Sequence, residues 1–181
     1  MHNGTGAIRT PEDPRDYKYE TDIGMAGEPF DWDKGFNIEE KLGQKIKPKN
    51  QNGSYSCGGQ AGAYYAEVLH AIHDKEHTEK SAKFIYAPIA QGTGGSAIKD
   101  IMVRLINVGA CDENLCPSYE NGNPPTEAFM RENNITDAML ENAKKDKASV
   151  YAYVDRNIDA IARAIRDNNG MIVGITGQDN G

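Results

Sequence analysis

Cysteine is scarce in this chain: three residues among 181, an odd number that closes one bridge at most and excludes the disulfide scaffolds of small secreted domains. Histidine, the usual general base and metal ligand, occurs four times, as His2, His70, His73 and His77. No apolar run approaches the roughly 18 residues of a membrane-spanning helix, so no membrane partner is expected. Met1 to Thr10 lacks the apolar stretch of a secretory signal, which favours a cytoplasmic or virion-associated setting over classical secretion. Positive charge is in deficit, 20 basic against 27 acidic residues for a formal net charge of -7, so nucleic acid is not an expected partner. Repeats and low-complexity tracts are absent too. What remains is a globular composition, 38% hydrophobic and 26% charged, suited to one compact core.

Residues 1–28 are rich in Gly, Pro and charge, as in Thr10-Pro11-Glu12-Asp13-Pro14, and show neither period; they read as an extended leader lying over a surface. Asn37 to Leu42 suggests a short helical turn. Ala61, Tyr64, Tyr65, Val68, Leu69 and Ile72 recur at spacings of three and four, which predicts a helix beginning just after Cys57. A second helix is predicted over 96–108, with Ile98, Ile101, Met102, Leu105 and Ile106 on one side and Gly109 as its stop. Short helices are expected over 126–133 and 136–145, a strand over 149–154, a helix through Ile158, Ile161, Ala162 and Ile165, and a strand over 171–176. Helices early and strands late define an α+β chain.

Cys57 is the residue with the clearest chemical meaning. The first N–H groups of a helix have no intrahelical partner, and the macrodipole places about half a positive charge there, which favours thiolate over thiol. The Cys57 N–H is thus one candidate arm of an oxyanion hole. The amide of Gln51, six positions earlier, is a second candidate donor, and such a donor is typically worth about 3 kcal/mol. Gly58 and Gly59 follow directly and leave backbone open to a bound substrate. The bland alternative is a Cys that serves as a small buried hydrophobe.

The stretch Ile46 to Cys57 resembles the active-site segment of the papain-like cysteine peptidases, in which an oxyanion-hole Gln precedes the nucleophilic Cys by the same six positions. Asp31-Trp32 is similar to the Asp-Trp near the family's mature start, Gly94-Gly95 to the glycine pair lining its substrate cleft, and Asp155 to Thr176 to the helix and strand opening its β-rich domain. The resemblance runs in order over about residues 28–181. It implies a papain-like α+β fold: leader 1–28, helical domain 29–147 with the nucleophile at a helix N-terminus, and the start of a β-rich domain at 148–181. It also implies a hydrolase acting on a peptide or protein substrate without a cofactor, with Cys57 and Gln51 catalytic and Gly94, Gly95 and Gly58 at the substrate. Departures exist: Ser54-Tyr55-Ser56 stands where the family has Cys-Gly and a small residue, and Gly58 where it has an aromatic. The family's base is a His in the second domain, supported by Asn, and both fall beyond Ile175 in chain order. His70 is thirteen positions past Cys57 on the same helix, on the order of 20 Å away, too far to serve. The chain is therefore expected to be part of a longer enzyme, a processed form, or an inactive papain-like binding or structural module, for instance part of a larger assembly; a related thiol transferase or amidase differs only in the cleft.

Other constellations are weak. Asp112, Glu113 and Glu120 have no His nearby and read as a solvated loop, so no metal is expected. Gly92-x-Gly94-Gly95 lacks the strand and the Lys-Ser/Thr pair of a phosphate loop. Cys111 and Cys116 either close a small ring or remain thiols. His73 and His77 read as a solvated helix end.

Overall fold

The computed structural model describes residues 6–22 and 28–175. Helix α1 (Ile38–Leu42) is opened by Asn37, whose side chain accepts the Glu39 N–H, and is stopped by Gly43 in the left-handed conformation. The long helix α2 (Cys57–Asp74) follows. Next comes α3 (Ala82–Tyr86), capped by Ser81 and buried along its whole length. Periodicity could not reveal α3, because a one-turn helix buried on every side has no polar face.

The two-residue strands β1 (Ala7–Ile8) and β2 (Ser96–Ala97) pair in parallel, and α4 (Ile98–Asn107) runs directly out of β2. The expected helix over 96–108 therefore starts two residues late, because Ser96 and Ala97 are extended to meet the leader. Helices α5 (Glu127–Arg131) and α6 (Asp137–Ala143) each begin on a threonine cap, a 3₁₀ turn follows at Lys144–Asp146, and α7 (Ile158–Asn168) starts on Asn157. This is an α+β chain dominated by helix.

Helix α2 is the axis of the core. Ala63 and Ala66 pack with Phe84, Ile85 and Tyr86 of α3, Ile101 and Leu105 of α4, Met130 of α5 and Ala143 of α6. Close approach depends on glycine: a Cβ on Gly59 would lie 2.6 Å from Tyr86 Cβ and 2.7 Å from Ala82 O, and one on Gly62 would lie 2.7 Å from Ile101 Cγ2. At the other end of α2 a buried ion network replaces apolar packing. Lys80 Nζ sits 2.7 Å from both Asp112 and Asp146, the Lys80 N–H donates to Glu67 Oε1, and Lys49 Nζ pairs with the same Glu67. Lys80 and Glu67 are each about 1% exposed, so each charge is tolerated only because the other partners are in place.

Two strand expectations fail. Over 149–154 only Tyr153 pairs, in an isolated parallel bridge with Lys18. Residues 171–175 form no strand, with Val173 58% and Ile175 84% exposed, while Thr176 lies outside the described residues. β-branched and aromatic residues make a segment able to pair, but a strand exists only where a run of consecutive N–H and C=O groups meets a ladder partner, and among these described residues Tyr153 alone finds one.

The leader is tied down at several points. Lys99 of α4 pairs with Asp13 and Asp16, Tyr151 donates to Asp16, the Tyr19 hydroxyl donates to Asp167 of α7, and Tyr17 and Tyr19 exchange backbone bonds with Tyr153.

Candidate active site

Cys57 is the first residue of α2. The loop that delivers it is pinned from inside: the Gln51 carbonyl accepts both the Ser54 N–H (3.1 Å) and the Ser54 hydroxyl (2.7 Å), Ser54 and Ser56 hydroxyls lie 2.7 Å apart, and the Gln60 amide reaches Ser56 at 3.3 Å. Both serines are fully buried. Ser54 stands where the papain pattern has Cys and Ser56 where it has a small residue, and the two close the Gln51–Cys57 turn by hydrogen bonds. Their spacing of two around an exposed Tyr55 was the available signal.

Facing this loop is the turn 91–95, in which Gln91 N donates to Gly95 O and Gly94 N to Gln91 O, both at 2.9 Å. Gly94 and Gly95 have φ of 150° and 98°, a region that favours glycine. Sterics forbid a side chain as well: a Cβ on Gly94 would lie 2.5 Å from the Tyr55 ring, and one on Gly95 would lie 2.6 Å from the carbonyl oxygen of Gly6.

The space between the two walls is filled by the leader. Gly6 is buried, its carbonyl accepts the Ser96 N–H at 2.8 Å, and a Cβ on it would lie 1.9 Å from Tyr55 O and 3.0 Å from Cys57 Sγ. Cys57, Tyr55, Gly95 and Ser96 are thus brought together around one extended backbone. The sequence offered no signal for this, since a lone Gly in a Gly-rich leader has many explanations.

Thiol ionisation is a contest of two effects. The N–H groups of Gly58, Gly6 and Cys57 itself point at the sulfur and favour thiolate, but burial outweighs them and pushes the Cys57 thiol above its ordinary range. The expectation of a thiolate at the helix start is corrected accordingly, for the leader that donates one N–H also helps to exclude water. Gly58 faces the core rather than the channel: a Cβ there would lie 2.5 Å from both Ile101 Cδ1 and Ser96 Oγ, so packing accounts for its lack of a side chain. Gln51 is half-buried at the mouth of the same loop.

The described histidines stand elsewhere. His70 Nδ1 is 2.7 Å from Asp146 and 3.1 Å from Asp74 at the far end of α2, His73 is exposed, and His77 lies half-buried 3.6 Å from Glu67 rather than solvated; His2 is outside the described residues. His70, Asp74 and Asp146 offer three ligand atoms within 4.8 Å of one another, but Lys80 already compensates Asp146, and the group belongs to the ion network. Asp112 binds Lys80 and Asn142, and Glu113 binds the Ser118 N–H and hydroxyl, so neither is a free ligand. Cys111 and Cys116 are separate buried thiols, and burial pushes Cys111 up to about 12.

The fold has precedents. Xylellain, a cysteine protease from Xylella fastidiosa, superimposes with a TM-score of 0.63 at 21% identity, over 91% of this chain and 63% of its own. A chain from the mite-allergen pair Blo t 1 and Der p 1 aligns at 17% identity and a TM-score of 0.50, over 83% of this chain and 46% of the allergen. No family model and no curated protein matches the sequence. The fold is that of the papain-like cysteine proteases. This chain spans less than two thirds of xylellain, 63% of its length.

Proposed function

We propose that the protein is a papain-like cysteine peptidase in which Cys57 is the nucleophile. The observation that carries this is the occupant of the channel: an extended polypeptide backbone lies between Cys57 and the Gly94-Gly95 wall, hydrogen-bonded to Ser96, as a peptide substrate would be. In the reaction the Cys57 sulfur forms a bond to the scissile carbonyl carbon while the oxyanion is held by the Cys57 N–H and the Gln51 amide. The C–N bond then breaks as the leaving amine takes a proton, and water cleaves the thioester. The proton is handled by a general base that none of the described residues supplies, a role worth about 10²–10⁴-fold in rate. With the leader in place the channel is closed, so turnover requires it to move.

The test is labelling of the full-length protein by a peptidyl electrophile. Rapid modification of Cys57, lost in Cys57→Ser, supports the reading. Modification of Cys57 no faster than that of Cys111 leaves an inactive papain-like module instead.

A further inference from the structure

Both walls of the channel are tied to one carboxylate. Glu127 Oε2 accepts the N–H of Tyr55, two residues before the nucleophile, at 2.7 Å. Glu127 Oε1 accepts the Tyr86 hydroxyl at 2.7 Å, and that hydroxyl oxygen accepts the Gly95 N–H, again at 2.7 Å. Tyr86 is fully buried. Gly94 lies against the same group, since a Cβ there would be 2.8 Å from Glu127 Oε1. From Glu127 one arm therefore reaches the Cys57 loop directly, and the other reaches the glycine wall through a phenol.

We propose that Glu127 is a positioning residue that sets the separation of the Cys57 loop from the Gly95–Ser96 wall, with Tyr86 as its relay. This rests on the peptidase reading. An extended substrate has to place a carbonyl at Cys57 while its main chain bonds the Ser96 side, and a displacement of about 1 Å in such an arrangement can cost about 10²-fold in rate. The residue type fits the task. An ionised carboxylate only accepts, and its two oxygens meet two donors, the Tyr55 N–H and the Tyr86 O–H. Glutamine has one acceptor oxygen and an NH₂, so Glu127→Gln can satisfy one donor and leaves the other facing an N–H. Burial and the neighbouring carboxylate both raise the Tyr86 phenol, which keeps it a donor toward Glu127. Arg131, one turn along α5, brings its guanidinium to 3.6 Å from the same carboxylate.

The two arms can be cut separately in the full-length protein. Tyr86→Phe removes only the Gly95 arm; it should raise KM for a peptide substrate about tenfold with kcat within about twofold, and leave the rate of Cys57 alkylation by iodoacetamide, which needs no glycine wall, unchanged. Glu127→Ala removes both acceptors, cuts both arms and should lower kcat as well, about 10²-fold. Amide exchange gives a readout that does not need turnover. Gly95 should exchange about fivefold faster in Tyr86→Phe with Tyr55 unaltered, and both should exchange faster in Glu127→Ala. Kinetics and Gly95 exchange within twofold of wild type in Tyr86→Phe overturn the proposal. So does an equal loss of KM, kcat and iodoacetamide reactivity in both variants, which is general loosening. A wild type that hydrolyses no peptide sinks the peptidase reading alone, and the exchange pattern then decides whether Glu127 spaces the two walls.

Discussion

Replacing Gly6 by alanine should open the channel. The new methyl would stand 1.9 Å from the Tyr55 carbonyl oxygen and 2.6 Å from its carbon, and these are backbone atoms of a loop pinned by Ser54 and Ser56, so the leader must give way. Its departure breaks the Ser96 N–H to Gly6 bond and the Gly6 N–H contact with the Cys57 sulfur. At about 0.5–1.5 kcal/mol net for each bond, the docked state loses about 1–3 kcal/mol, or about 5- to 150-fold in the ratio of closed to open. Thiol chemistry pushes the same way: burial is the largest influence raising the Cys57 thiol, so uncovering it brings its ionisation down toward the ordinary range. Anchors farther along, Lys99 to Asp13 and Asp16 and Tyr19 to Asp167, keep the leader attached, so the fold itself should stay intact. The assay is alkylation of the full-length protein with iodoacetamide, followed site by site by mass spectrometry, with buried Cys111 and Cys116 as internal standards. Cys57 should react at least about fivefold faster in Gly6→Ala at unchanged Cys111 and Cys116 rates. An unchanged Cys57 rate would refute the steric reasoning.

Three further outcomes concern the scaffold. Lys80→Met leaves Asp112 and Asp146 without their shared cation and should cost about 3–5 kcal/mol, read from the urea midpoint; a loss under 1 kcal/mol would mean water already reaches these carboxylates. Gly59→Ala drives a methyl against Tyr86 and the Ala82 carbonyl, and its overpacking, about 1–3 kcal/mol, should exceed the helix-propensity gain of about 1 kcal/mol and lower the thermal midpoint. Cys111 has a folded thiol raised from 9.0 to about 12. A raised acid favours the neutral form in the folded state, so its contribution is present below pH 9 and is lost as pH rises toward 12. The fall in stability over that window should be shallower in Cys111→Ala, and parallel curves would contradict the assignment.

Helix α2 was legible because its apolar residues repeat every three to four positions, and α7 for the same reason. Helix α3 was not, since its five residues are all buried, and neither was β2, whose two residues are extended only because the leader lies beside them. The segments 149–154 and 171–175 carry the composition of strands, yet pairing is a property of two segments and neither composition names a partner. At the site, Cys57 and Gln51 could be picked out by residue type and spacing, and Gly94-Gly95 only by resemblance to the papain-like glycine pair. Glu127 could not, for an acidic residue in the first turn of a helix normally means a favourable end charge, and its link to Tyr55 and Tyr86 spans 72 and 41 positions.

By itself the sequence determined the local terms: where α2 begins and that a cysteine heads it. Those depend on backbone propensity and on residues a few positions apart. Only the tertiary structure decided that the leader fills the channel, that burial pushes the Cys57 thiol up, and that one carboxylate spans both walls. Each of these is a contact between segments far apart in the chain, and periodicity carries no information about such distances.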